Sequence, residues 1–247
     1  MEVHHHPHIE KKRFKEYFLE FIMIFLAVTL GFFAENLRES FGDDHKKHQY
    51  AKTLVADIKL DTIACHQIVA NANYYITNYD SLLRLLNTKN ASVRSLYYFF
   101  VPTNQYIIFN SINSTIDQLK STGQLRLFED EHASDAINSY YQQSKFVESY
   151  FNTYLKYFDE YHKDAFELFA YSQIGSAISD PDELLDSAKY LQLLDDDYKL
   201  RQKVYSKLFM LKIISAYYID IINKLKDQGV NCINFLKKEY NIEDELK

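Results

Sequence analysis

Residues 137–168, INSYYQQSKFVESYFNTYLKYFDEYHKDAFEL, place apolar or small side chains at Ile137, Tyr140, Ser144, Val147, Phe151, Tyr154, Phe158, Tyr161, Ala165 and Leu168. The steps alternate three and four without a slip. That spacing lines one face of an α-helix, so the stretch predicts a long helix with a single buried stripe. Two other stretches repeat the pattern. His45 to Asn87 carries Leu54, Ile58, Cys65, Ile68, Ala72, Tyr75, Tyr79, Leu82 and Leu86, with Asp61 as the one polar intrusion into the stripe. Val204, Leu208, Leu211, Ser215, Tyr218, Ile222 and Leu225 form the third. Long stripes must be buried on one another, which predicts an all-α protein: an antiparallel bundle of three long helices over about residues 44 to 241, with a shorter fourth element. Composition agrees, because five Gly and three Pro in 247 residues are too few for the turns of a sandwich, barrel or doubly wound sheet. An apolar content of 47% is enough for a core.

The connections carry their own signals. Ser92 to Phe128 is shorter-grained: Ser95 to Val101 and Ile107 to Phe109 are aromatic and apolar, Pro102 interrupts, and Ile112 to Leu119 predicts a helix ended by Ser121, Thr122 and Gly123. Ser179, Asp180, Pro181, Asp182 and Glu183 read as a helix start, and Asp195, Asp196 and Asp197 repeat that capping logic before the last helix. No Asp-x-Asp loop with central Gly accompanies that acidic triplet, so capping is preferred to calcium binding.

Upstream of the bundle, residues 21–34 read FIMIFLAVTLGFFA, without a charge and with Thr29 as the only hydroxyl. Extended back to Tyr17 the run gives about 18 residues, or roughly 27 Å of helix, enough to cross a bilayer. A core helix would keep a polar stripe, and this run has none. The expected anchor side chains are Phe21, Ile22, Ile24, Phe25, Leu26, Val28, Leu30, Phe32 and Phe33, with Glu20 and Glu35 as carboxylates at the membrane edges. Ala27 and Gly31 form a small-x-x-x-small pair that permits close approach of a second helix. No small-x-small cleavage site follows, so the helix is expected to stay as a signal anchor. Lys11, Lys12, Arg13 and Lys15 crowd its N-terminal side, favouring a cytoplasmic N-terminus and an exported C-terminal domain. The expected organisation is a basic His-rich tail over 1–16, an anchor over 17–40 and a periplasmic helical domain over 41–247.

Chemistry is sparse. Gly-x-Gly-x-x-Gly, Gly-Lys-Ser/Thr, His-Glu-x-x-His and Gly-x-Ser-x-Gly are all missing. A net charge of −6 offers no broad basic surface for nucleic acid. One Glu-x-x-His pair, Glu129 with His132, falls short of the two that a dinuclear bundle site needs, and capping explains it. His4, His5, His6 and His8 are candidates for metal capture or form a solvated tail. His45 and His48 read as a surface face. Cys65 and Cys232 lie on separate helices, and the sequence leaves open whether they pair. The 21 Tyr and 18 Phe, with no Trp, read as core filling, with seam tyrosines such as Tyr140, Tyr154 and Tyr161 sending hydroxyls to the rim.

Residues 13–40, RFKEYFLEFIMIFLAVTLGFFAENLRES, and 114–128, STIDQLKSTGQLRLF, together with the opening MEVHHHPH, resemble a family of uncharacterised single-pass, membrane-anchored helical proteins of the Bacteroidota. The likeness covers the anchor and Ile112 to Tyr141 best. It implies an envelope protein with no assigned activity, and no catalytic residue carries over. The expectation is a non-enzymatic inner-membrane protein without cofactor, a scaffold or accessory subunit of an envelope complex. Its expected partners are the lipid bilayer and either further copies of itself, as a homo-oligomer, or other membrane proteins. The alternative is an extracytoplasmic ligand sensor or transport-associated subunit that signals through its anchor.

Overall fold

The computed structural model describes residues 14–128, 130–174, 182 and 191–243. Long helices dominate: α1 (Phe14–Leu86), α4 (Glu131–Leu168) and α5 (Tyr198–Glu239), with the short α2 (Val93–Phe100) and α3 (Ser114–Ser121) between the first two. Among the described residues the only strand-like pairing is an isolated bridge between Phe169 and Leu193. The chain divides into two compact units, one up to Gln49 and one from Tyr50 onward. α1 supplies all of the described part of the first unit and the first rod of the second.

Within the second unit the stripes bury as their spacing requires. Along α4, Ile137, Tyr140, Ser144, Val147, Tyr154, Phe158, Tyr161, Ala165 and Leu168 are buried, and Phe151 is half-buried. The α5 stripe is buried from Val204 to Leu225 and continues through Gly229 and Cys232 to Leu236. Gly229 is the point of closest approach: a Cβ there would stand 2.6 Å from Thr62 Cγ2 and 3.2 Å from Ile58 Cγ2 and a Tyr140 ring carbon. Caps fall where acids precede a helix. Asp197 accepts from the backbone N–H groups of Lys199 and Leu200 at the start of α5, and Asp130 from His132 at the start of α4. Gly123 takes up the left-handed conformation after α3, with φ of 67°. The helix-start signal over 179–183 and Glu129 lie outside the described residues, apart from Asp182.

Cross-links between rods give their directions. α5 runs antiparallel to α4, with ion pairs Lys203–Asp164 at 2.7 Å and Lys207–Glu160 at 2.6 Å towards one end and Gln143 donating to the Ile221 carbonyl towards the other. It is antiparallel to α1 as well, because Gln202 meets Asn87, Lys212 meets Asp80 and Gly229 packs on Ile58 and Thr62. α1 and α4 therefore run in the same direction, Asp61 facing Tyr140 and Tyr79 facing Tyr154. Two consecutive parallel rods need a connection that travels the length of the bundle, which accounts for the long segment from Asn87 to Asp130.

That connection is the fourth element, and it is only partly helical. After α2 come a 3-10 turn at Val101–Asn104, an extended stretch over 105–113 and then α3. It runs back along α4 and α1, pinned by hydrogen bonds at intervals. Tyr97 Oη accepts from Ala170 N at 2.7 Å and donates to the Gln192 carbonyl at 2.8 Å. Thr103 and Tyr161 share a hydroxyl contact of 2.9 Å, Ile107 N donates to Tyr154 Oη at 3.3 Å, and Ser111 N to Glu148 at 2.9 Å. An extended backbone has no internal partners for its polar groups, so side chains from the neighbouring helices must supply them.

Candidate functional site

The first feature is the apolar segment of α1. An 18-residue window of this helix reaches a mean hydropathy of 2.1 with none of it buried, so among the described residues one helix, near the N-terminus, is long and apolar enough to cross a membrane. Phe21, Ile24, Phe25, Leu26, Val28, Leu30, Phe32 and Phe33 are all exposed, and Ile22 is half-buried. Rings and branched side chains therefore cover the cylinder on every side, as a lipid-facing helix requires and a core helix of a water-soluble domain does not. Thr29 Oγ1 donates to the Phe25 carbonyl at 2.7 Å, which satisfies the single hydroxyl of the run without water. Ala27 and Gly31 sit one turn apart and exposed, with nothing within 4 Å of a Cβ placed on Gly31. Beyond the run, Glu35 pairs with Arg38, Asp43 with Lys46 and Asp44 with Lys47. His45 contacts Gln49 on the same exposed helix surface, and His48 is exposed. His4, His5, His6 and His8 lie outside the described residues.

The second feature is built around Asp61, the polar intrusion in the first stripe. Tyr140 donates its hydroxyl to Asp61 Oδ2 at 2.7 Å, and Ile112 N donates to both carboxylate oxygens at 3.1 and 3.3 Å. One turn earlier Asp57 accepts from Thr115 N at 3.3 Å and from Thr115 Oγ1 at 2.6 Å, at the start of α3. From α4, Glu148 accepts from both the backbone N–H and the hydroxyl of Ser111. Three carboxylates thus grip residues 111–115, supplying acceptors to a stretch of free N–H groups and to the positive end of α3. Asp61 is 1% exposed, and its burial, abetted by the charges of Asp57 and Glu148, lifts its carboxyl to about 6 despite the Tyr140 hydrogen bond. The sequence marks Asp61 as an exception in its stripe. Asp57 and Glu148 sit among ordinary surface acids, and only the path of the connector singles them out.

The third is His162, 6% exposed on α4. Desolvation holds its imidazole down to about 4, so it is neutral, and Nδ1–H donates to the Phe158 carbonyl at 2.8 Å. Its Nε2 is buried without a partner, beside an open cleft of about 500 Å³ lined by Asn104, Phe158, Asp159, Lys163, Phe166 and Tyr171. Among the described residues no Ser, Thr or Cys lines that cleft, and its one hydroxyl is the Tyr171 phenol, which desolvation pushes up. Among the described residues no group of three or more His, Cys, Asp or Glu could hold a metal ion. Cys65 and Cys232 are free and buried, each thiol pushed up to about 12 by desolvation, which makes them inert.

One expectation needs correction. The hydroxyls of Tyr140, Tyr154 and Tyr161 do not go to the rim: these residues are almost wholly buried, and each hydroxyl faces a carboxylate, a backbone N–H or a hydroxyl within the protein. The connector lies across this side of α4 and carries polar groups into the interior, so a tyrosine can pack its ring and bond the connector together. Compared with protein-family models, curated proteins and solved structures, the chain matches none of them.

Proposed function

We propose that the chain is a non-enzymatic, single-pass membrane protein of the bacterial inner membrane. Its helical bundle stands on the periplasmic side as a scaffold or accessory subunit of an envelope complex. The observation that carries this reading is the unburied apolar window of α1, whose surface none of the described residues covers and whose natural solvent is lipid. The basic cluster Lys11, Lys12, Arg13 and Lys15 supports a cytoplasmic N-terminus. The resemblance to the membrane-anchored Bacteroidota family points the same way. The interior supports scaffolding over ligand sensing: the space between the rods is filled by Tyr79, Tyr140, Tyr154, Tyr161 and Tyr218, and the cleft beside His162 opens to the surface.

Membrane fractions washed with alkaline carbonate test the anchor: the full-length protein stays in the pellet if α1 spans the bilayer and leaves with the wash if it does not. Alkaline phosphatase fused after Lys247 is active if the bundle is exported, and an active fusion before Met1 would reverse the orientation. Purification from native membranes tests the scaffold role, since a lone monomer with no co-purifying partner argues against it.

A further inference from the structure

α5 has a second apolar face that the bundle covers only at its edges, at Tyr205 and beside Tyr150. Tyr205, Phe209, Ile213 and Tyr217 follow one another at four-residue steps, roughly opposite the buried stripe at 3.6 residues per turn. Phe209, Ile213 and Tyr217 are 45, 46 and 46% exposed. The row continues onto α4, where the Tyr150 ring lies 5.0 Å from Tyr217 and the Phe146 ring, 44% exposed, lies 6.3 Å from Tyr150. A helix apolar on both faces is ordinarily buried on both. We infer that this face is a self-association surface, and that its occupant is the same face of a second copy of the chain.

Area, charge and shape select that occupant. At about 200 Å² per large side chain, the six residues expose on the order of 450 Å². This matches the apolar share of the roughly 800 Å² that each partner contributes to a standard interface. The flanking cations are already matched within the chain, Lys207 by Glu160, Lys212 by Asp80 and Lys224 by Asp220. A rim of matched pairs does not repel its own copy and has no net charge with which to select a strongly acidic, basic or anionic-lipid partner. Residues four apart form a continuous ridge, and two identical ridges of this kind interdigitate when helices cross at about −50°. A two-fold contact centred on the patch brings Ile213 against its own symmetry mate. Copies held in one bilayer also meet at raised effective concentration, a point that rests on the membrane reading above.

The test uses the full-length protein in mild detergent and in lipid nanodiscs, with mass measured by light scattering corrected for detergent or lipid. The expected result is a dimer that Ile213→Glu converts to monomer, with helical content by circular dichroism unchanged because Ile213 lies outside the core. In the otherwise native chain, whose own cysteines are buried, mild oxidation of Ile213→Cys should give a disulfide-linked dimer. Gln67→Cys, exposed on α1, should not. A monomeric native protein overturns the proposal, as does a dimer that survives Ile213→Glu and is lost instead with Gly31→Leu, which places self-contact in the anchor. Carbonate extraction of the same samples separates the two ideas: a carbonate-resistant monomer sinks this surface and leaves the membrane reading standing, whereas an extractable dimer sensitive to Ile213→Glu does the reverse.

Discussion

A carboxylate in an apolar stripe favours its neutral form, and Asp61 makes the stability of the bundle depend on pH with a definite sign. Its carboxyl rises from 3.8 to about 6 on folding, so between these values the folded chain holds a proton that the unfolded chain releases. The stabilisation is full below about pH 4 and is lost as pH rises through 6. Asp61→Asn, which cannot titrate, should remove that slope: the wild-type minus variant difference in denaturant stability should change by on the order of 2–3 kcal/mol between pH 4 and 7. Parallel curves for the two proteins would show that Asp61 is not the titrating group. Gly229 offers a second measurement. Alanine gains about 1 kcal/mol of helix propensity, but the 2.6 Å approach to Thr62 Cγ2 forces a β-branched side chain to move. Overpacking of this kind costs about 1–3 kcal/mol. Gly229→Ala should therefore show a net loss, and Thr62→Ser, which removes the offending methyl, should restore much of it in the double variant. Helix spacing puts Gly229 on the buried stripe, four residues after Leu225, but does not reveal it as the point of closest approach, since a glycine inside a helix becomes informative only when its neighbour across the interface is known.

At the scale of the element, α1 carries two unlike surfaces on one continuous helix. Its apolar run is exposed on all sides, while from Ala51 onward it presents one buried stripe and a mainly polar remainder interrupted by Leu60, Ile63 and Tyr74. The change of pattern is legible residue by residue, because a helix in lipid needs apolar side chains all round and a helix in a bundle needs them on one side. Val28 lies near the middle of the run, where an arginine costs about 3 kcal/mol of insertion free energy. Val28→Arg should shift the protein from the carbonate-resistant to the extractable fraction while leaving bundle unfolding unchanged, because Val28 is 53% exposed and takes no part in the core. Resistance equal to that of the wild type would mean that this segment is not what holds the protein to membranes. The connector shows the opposite situation. α2 and α3 are short, the stretch between them is extended, and its partners Asp57, Asp61, Glu148, Tyr154 and Tyr161 come from two other helices. Its local sequence signals gave Gly123 and the end of α3 correctly but could not show which side chains answer its backbone.

For the molecule as a whole, the two buried cysteines report on whether α1 and α5 open together. Cys65 and Cys232 have thiols pushed up to about 12, so at pH 8 neither should react with a maleimide under native conditions. Labelling of both should appear together with the loss of helical signal in denaturant. Reaction of Cys232 alone before that transition would show that the end of α5 opens separately. The class of fold, the existence of three long rods, the stripe each one buries, the caps at Asp197 and Gly123 and the apolar run were determined by the sequence alone. Each of these depends on interactions within a few residues along the chain or on the solvent a segment must face. The tertiary structure decided that α1 and α4 run the same way, that the connector returns between their ends, that tyrosine hydroxyls stay inside to hold it and that α5 keeps a second apolar face largely bare. Those properties depend on which surfaces meet across separations of 47 residues and more along the chain, and a periodic stripe records that it is buried without recording against what.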